Sequence, residues 1–212
     1  AFFTPAARWL RDHGAQGARI EVPPTANHWE SAYLAPRFEL ARGWLRQLDT
    51  TRDDIFYGDD GPLTNRAYSA WLRDNAIRYV ALPDAPLDYS SEAERRLILA
   101  HPPYLVPRWH SAHWRIYAVR RPEPLVDPVG AAAARTLWIG RQGFGLDVTR
   151  PGDFLVRVNF TPYWTIARGR ACLVRRGDWT LVRAARTGVL RVSADFSMGA
   201  AWNAVTGSPQ TC

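Results

Sequence analysis

The chain contains no lysine. All 27 of its basic side chains are arginine, set against 20 acidic ones for a net charge of +7. Nucleic-acid surfaces gather positive charge on one face or stripe. Here the arginines are scattered, with doublets only at Arg95-Arg96, Arg120-Arg121 and Arg175-Arg176. We therefore expect no nucleic-acid partner and read the loss of Lys as a GC-rich coding bias. A basic balance still favours anionic lipid headgroups, at about 1 kcal/mol per basic residue near the surface. Long apolar runs are missing too: no stretch of about 18 residues could span a bilayer, and no signal-peptide pattern is present. The chain opens at Ala1 without an initiator Met, so any export signal or membrane segment is expected upstream of it.

Cysteine is scarce. Cys172 and Cys212 are the two present. One bridge could staple the tail to the strand holding Cys172, as exported proteins often do; two unrelated thiols are the other reading. Neither has metal-ligand spacing around it. Catalytic signatures are also absent: no GxGxxG, Walker A loop, HExxH or GxSxG. The sequence offers no complete catalytic site and calls for no cofactor and no metal. Gly140-Arg141-Gln142-Gly143-Phe144-Gly145 has three glycines in the wrong order and reads as a hairpin. His110 and His113, at i and i+3 in a strand-like stretch, point to opposite faces. Asp53-Asp54 and Asp59-Asp60 read as turn residues beside glycine.

What is present is a large aromatic content: 10 Trp, 8 Tyr and 8 Phe in 212 residues that are 47% hydrophobic. Each buried aromatic removes about 150–250 Å² from water, so a substantial core is expected. Residues 4–13 read as a helix capped by Thr4 with Pro5 in its first turn. Residues 18–22 alternate as a strand. Residues 27–34 look irregular, and 39–48 carry Leu40, Trp44, Leu45 and Leu48 at helical spacing. Thr64 caps a helix whose Ala67, Tyr68, Trp71 and Leu72 form one stripe. A buried strand over 76–82 and a helix over 92–100, capped by Ser91, complete an α/β pattern. Two further strands, 104–107 and 113–119, close it. After a connector at 126–134 the pattern is all short strands with Gly turns, as in an antiparallel β-sandwich. The expected fold class is α+β in two parts: a small α/β domain over 1–125, then a β-sandwich domain with a C-terminal tail over 135–212.

One segment is dense in polar and aromatic groups. Residues 27–49 hold His28, Trp29, Glu30, Tyr33, Arg37, Arg42, Trp44, Arg46 and Asp49. Sugars offer apolar C–H faces and rings of hydroxyls, which aromatic faces, carboxylates and guanidinium groups match. His28, Trp29, Glu30, Arg42, Trp44, Arg46 and Asp49 are the candidate substrate-binding residues. Against this, Trp44 and Leu48 fit a core stripe, and Arg42 and Arg46 fit the outer face of a helix. Tyr163-Trp164 is a second aromatic candidate, better read as core.

The runs His28-Trp29-Glu30-Ser31-Ala32-Tyr33-Leu34-Ala35-Pro36, Leu40-Ala41-Arg42-Gly43-Trp44-Leu45-Arg46-Gln47-Leu48-Asp49 and Tyr68-Ser69-Ala70-Trp71-Leu72-Arg73-Asp74-Asn75-Ala76-Ile77-Arg78-Tyr79-Val80-Ala81-Leu82 carry a resemblance. They resemble the C-terminal extracytoplasmic region of polytopic membrane proteins of GC-rich bacteria that are similar to glycosyltransferases of the GT-C architecture. The resemblance spans about residues 2–119. It implies a soluble accessory domain on the outer face of the membrane, binding a glycan or a lipid-linked sugar, or bracing the membrane core. Catalysis would lie in upstream membrane segments. Rival readings are a stand-alone carbohydrate-binding module, a structural or interaction domain of the cell envelope, and an enzyme whose site lies near His28 and Glu30.

Overall fold

A computed structural model describes residues 2–15, 17–42, 53–58, 62–140 and 142–194. The protein is β-rich with several antiparallel sheets and divides into two compact units, Ala1–Glu123 and Pro124–Cys212.

The first unit is built on a five-stranded mixed sheet of order β2-β1-β3-β5-β4. Its strands are β1 (Arg19–Glu21), β2 (Glu39–Leu40), β3 (Ile77–Pro83), β4 (Leu105–His110) and β5 (Trp114–Val119). β1 runs parallel to both β2 and β3, while β3, β5 and β4 pair antiparallel. Among the described residues, four α-helices join them: α1 (Thr4–Asp12), α2 (Trp29–Tyr33), α3 (Asn65–Asp74) and α4 (Glu92–Leu99). Successive strand residues face opposite sides of a sheet, and the core divides accordingly. Tyr79, Ala81, Trp114 and Ile116 join α1 residues Ala6 and Leu10 in one cluster. Val80, Leu82, Tyr117 and Val119 join Tyr68, Leu72 and Ile98 of α3 and α4 in another.

Local chemistry accounts for the helix ends. Thr64 caps α3 as expected, its hydroxyl accepting the Ala67 N–H at 3.1 Å. Two expected caps are corrected. Thr4 is the first residue inside α1, preceded by Phe3, and no side chain caps it. Ser91 does not cap α4. Asp88 instead receives the Ser90 N–H at 3.0 Å, capping a short 3-10 turn (Tyr89–Ser91) that leads into the helix.

Three expected elements differ. Residues 29–33 form a helix where an irregular stretch was expected; the chain enters it through His28 in the left-handed region, φ 52°. Glu39 and Leu40 are a strand, not the start of a helix, because they pair with Arg19 and Ile20. Residues 126–128 form a strand rather than a connector, since Val126 pairs with Val156 in a neighbouring sheet.

The second unit comprises β6 (Val126–Pro128), β7 (Ala133–Gly140), β8 (Gly143–Arg150), β9 (Gly152–Asn159), β10 (Trp164–Arg168), β11 (Ala171–Arg176), β12 (Trp179–Ala184) and β13 (Gly188–Ala194). They form two four-stranded antiparallel sheets, β10-β13-β8-β7 and β11-β12-β9-β6, around one core containing Phe144, Phe154, Trp164 and Val192. Gly140 pairs with Gly143, so the glycine-rich run is the expected hairpin. Gly145 is required by packing: a Cβ there would run into the Trp138 indole. Cys172, on β11, is disulfide-bonded; Cys212 lies outside the described residues.

Candidate functional site

Four of the seven candidate binding residues are described, namely His28, Trp29, Glu30 and Arg42; Trp44, Arg46 and Asp49 lie outside the described residues. Three of the four converge on one polar network at the carboxyl-terminal ends of β1, β2 and β3. The convergence is made by backbone. Residues 24–26 lie alongside 86–88, with the Ala26 N–H donating to the Pro86 carbonyl and the Asp88 N–H to the Pro24 carbonyl, each at 2.9 Å.

The network starts at Glu30, whose Oε2 accepts the Thr25 hydroxyl at 2.6 Å and the Thr25 N–H at 3.2 Å. Glu30 Oε1 lies 3.4 Å from His28 Nδ1. That is close enough for an ion pair, but the geometry is not that of a hydrogen bond, so Nδ1 is buried without one among the described residues. His28 Nε2 faces Asp88 Oδ2 at 4.0 Å. The other Asp88 oxygen accepts the Ser90 hydroxyl at 2.8 Å. Ser90 Oγ in turn accepts Arg42 Nη2 at 2.9 Å, and Arg42 Nη1 reaches Glu94 Oε2 at 3.4 Å. The Tyr68 hydroxyl donates to the remaining Glu94 oxygen at 2.7 Å.

The two ends of this chain differ in access. The Arg42 and Glu94 side chains are 1% and 0% exposed, and the Arg42 guanidinium carbon lies 4.0 Å over the Phe56 ring. No ligand reaches this end without unfolding it. Arg42 is therefore not on the outer face of a helix, as its spacing suggested. It follows the edge strand β2 and turns inward to meet α4. Burial, and then the nearby Glu94 charge, hold the Tyr68 hydroxyl well above its ordinary pKa, with the fully buried Glu21 at the end of β1 adding to the effect. Burial and Glu94 likewise push Tyr104 up to about 12. At the other end the His28 side chain is 26% exposed.

Beside that open end stand two aromatics. Trp29 and Tyr33, at i and i+4 on α2, are 52% and 50% exposed, with ring centroids 5.9 Å apart. Tyr33 stacks on Phe3 at 4.9 Å, and Phe3 packs edge-on against Phe2. The exposed rings are thus held by a supporting row beneath them. Large apolar side chains left in water on a fixed platform mark interaction surfaces more often than isolated ones do.

Tyr68, Asp88, Ser90 and Glu94 were missed from the sequence. One signal was available for Glu94: it shares an inward face with Ile98 at i+4, and both are buried. The other candidates resolve as structure. Asp53 accepts the Trp71 indole N–H at 2.7 Å, and Asp54 accepts the N–H of Ile55 at 2.8 Å. Asp59 and Asp60 lie outside the described residues. His110 and His113 are exposed. Trp164 is buried in the second unit's core, as expected.

Among the described residues, no three His, Cys, Asp or Glu side chains gather as a metal site, and no helix is long and apolar enough to cross a membrane. No protein-family model, curated protein or solved structure matches this chain.

Proposed function

We propose that this chain is the extracytoplasmic accessory part of a membrane-embedded glycosyltransferase-like protein, and that α2 and the rim beside it receive a glycan. The architecture that goes with this reading is an α/β domain followed by a β-sandwich. The membrane context rests on the resemblance of residues 28–49 and 68–82. The binding role rests on one observation: an exposed Trp29–Tyr33 pair beside the open, carboxylate-rich end of a buried polar network.

The chemistry follows from what a sugar ring presents. Its C–H face stacks on an aromatic face, and its hydroxyls need acceptors and donors. Trp29 and Tyr33 supply the faces. His28 supplies a ring nitrogen that donates or accepts according to tautomer, with the carboxylates of Glu30 and Asp88 at 3.4 and 4.0 Å from its two nitrogens. Pockets that recognise small ligands combine apolar walls with a few placed polar groups.

A structural role in the cell envelope is favoured by a different observation, the full burial of Arg42 and Glu94. It predicts no glycan binding at all. A stand-alone carbohydrate-binding module would bind glycan but belong to a protein with no hydrophobic spans. Screening the intact chain against a panel of glycans tests the proposal. Binding that disappears in Trp29→Ala/Tyr33→Ala supports it, and a blank panel contradicts it.

A further inference from the structure

The same rim holds a second recess, on the far side of the segment that carries Asp88 and Ser90. Beyond the end of β3 lies a cavity of about 120 Å³ between α4 and the β4–β5 turn, lined by Asp84, Arg95, Leu99, Ser111, Trp114 and Arg115 among others. A single water needs only about 10–15 Å³ of such space, so a tetrahedral oxyanion has room here. Adjacent α4 residues divide the two features: Glu94 points into the network and Arg95 lines the cavity.

Arg95 and Arg115 reach the cavity from different elements, and neither side chain makes an ion pair or hydrogen bond among the described residues. Both stay charged at any working pH. Arg95 is half-buried and Arg115 exposed; two guanidinium groups lining one recess favour an anion there, and their planar forks match the oxygens of a phosphate. Ser111 Oγ accepts the His113 N–H at 3.3 Å, which leaves its hydroxyl hydrogen to donate. Leu99 adds an apolar contact at one side of the recess. Asp84, the one acid, forms no ion pair with either arginine among the described residues. It repels a bare anion, but accepts a hydrogen bond from a hydroxyl or ammonium carried beside the phosphate. The recess lies beyond the carboxyl end of β3, where that strand pairs with the start of β5.

We infer that this cavity binds the phosphate group of a phosphorylated small molecule or of a lipid headgroup. The inference does not depend on glycan binding at Trp29. It is tested on the intact chain at low ionic strength, by titration with inorganic phosphate and by co-sedimentation with phosphatidylglycerol or phosphatidylcholine vesicles. Saturable binding to phosphate, or to phosphatidylglycerol vesicles alone, is expected to fall at least tenfold in Arg95→Gln and Arg115→Gln. It should hold in Arg66→Gln, which alters an exposed arginine on α3. Phosphate saturation points to a soluble ligand, and binding to phosphatidylglycerol alone points to a headgroup. Asp84→Asn should tighten binding about threefold, which keeps the test decisive if an arginine variant folds poorly. Binding of neither probe, or equal loss in Arg66→Gln, would overturn the inference.

Discussion

The two units bury different things. Ten of the twelve buried polar or charged side chains among the described residues belong to the first unit, and two, Arg157 and Thr180, to the second. Both reach backbone: Arg157 donates to the Pro124 carbonyl at 2.6 Å and Thr180 to the Val158 carbonyl at 2.9 Å, and Arg157 also pairs with the partly exposed Asp127 carboxylate at 3.5 Å. In the first unit six of the buried groups join two hydrogen-bonded sets, Thr25 with Glu30, and Asp88, Ser90 and Arg42 with Glu94 and Tyr68, with His28 at ion-pair distance from both. Taking charge out of water is costly, and apolar residues of similar volume usually serve stability as well or better. The second unit does what holding a shape requires. The first maintains a charged network whose outer end opens beside exposed aromatics, and the proposed binding site is set on that excess over structural need.

The contrast can be broken most sharply at Arg42. Arg42→Leu removes the guanidinium that pairs with the buried Glu94 and is expected to cost about 3–5 kcal/mol. Arg42→Leu with Glu94→Leu should recover most of that. Urea unfolding of the three proteins checks both, and a neutral single variant would mean that the network is not the first unit's keystone.

Tyr68→Phe comes next. It removes the hydrogen bond that Tyr68 donates to the buried Glu94 carboxylate, for about 1–3 kcal/mol. It also changes the alkaline limb of stability. The folded Tyr68 holds its proton above the ordinary value of 10.0, whereas the unfolded chain releases it there. Its contribution is therefore fully present below about pH 10 and is lost as pH rises toward the folded value. Wild-type stability should fall above pH 10 more steeply than that of Tyr68→Phe, as thermal melts across that range would show.

In the second unit, Thr180→Val removes one hydrogen bond to backbone and should cost about 1 kcal/mol. A loss as large as that of Arg42→Leu would erase the difference between the units. The smallest stability effect belongs to Trp29→Ala. Its side chain is half exposed, so stability should stay within about 0.5 kcal/mol of wild type.

Much of this organisation is readable in the amino-acid order, because it rests on local rules. Thr64 caps α3, and the Tyr68–Leu72 stripe turns inward. The short alternating runs after residue 135 are strands. What escaped reading depends on partners distant in sequence. Glu39 and Leu40 are two strand residues defined by pairing to Arg19 and Ile20, and the helical spacing after them masked that. Arg42 is buried by Glu94, 52 positions later. His28, Trp29 and Glu30 were picked out by composition, but composition could not separate the exposed Trp29 from the buried Glu30. That distinction comes from the left-handed turn at His28 and from the Thr25 hydrogen bonds.

The central claim is that the exposed aromatic pair on α2 binds while the buried network beneath it supports. The most direct test is calorimetric titration of wild type and Trp29→Ala with the strongest-binding glycan of the panel, each protein also checked by thermal melting. The account predicts at least a tenfold loss of affinity, about 1.4 kcal/mol, at an unchanged melting temperature. Equal affinity in the two proteins, or loss of binding only in step with loss of fold, would contradict it.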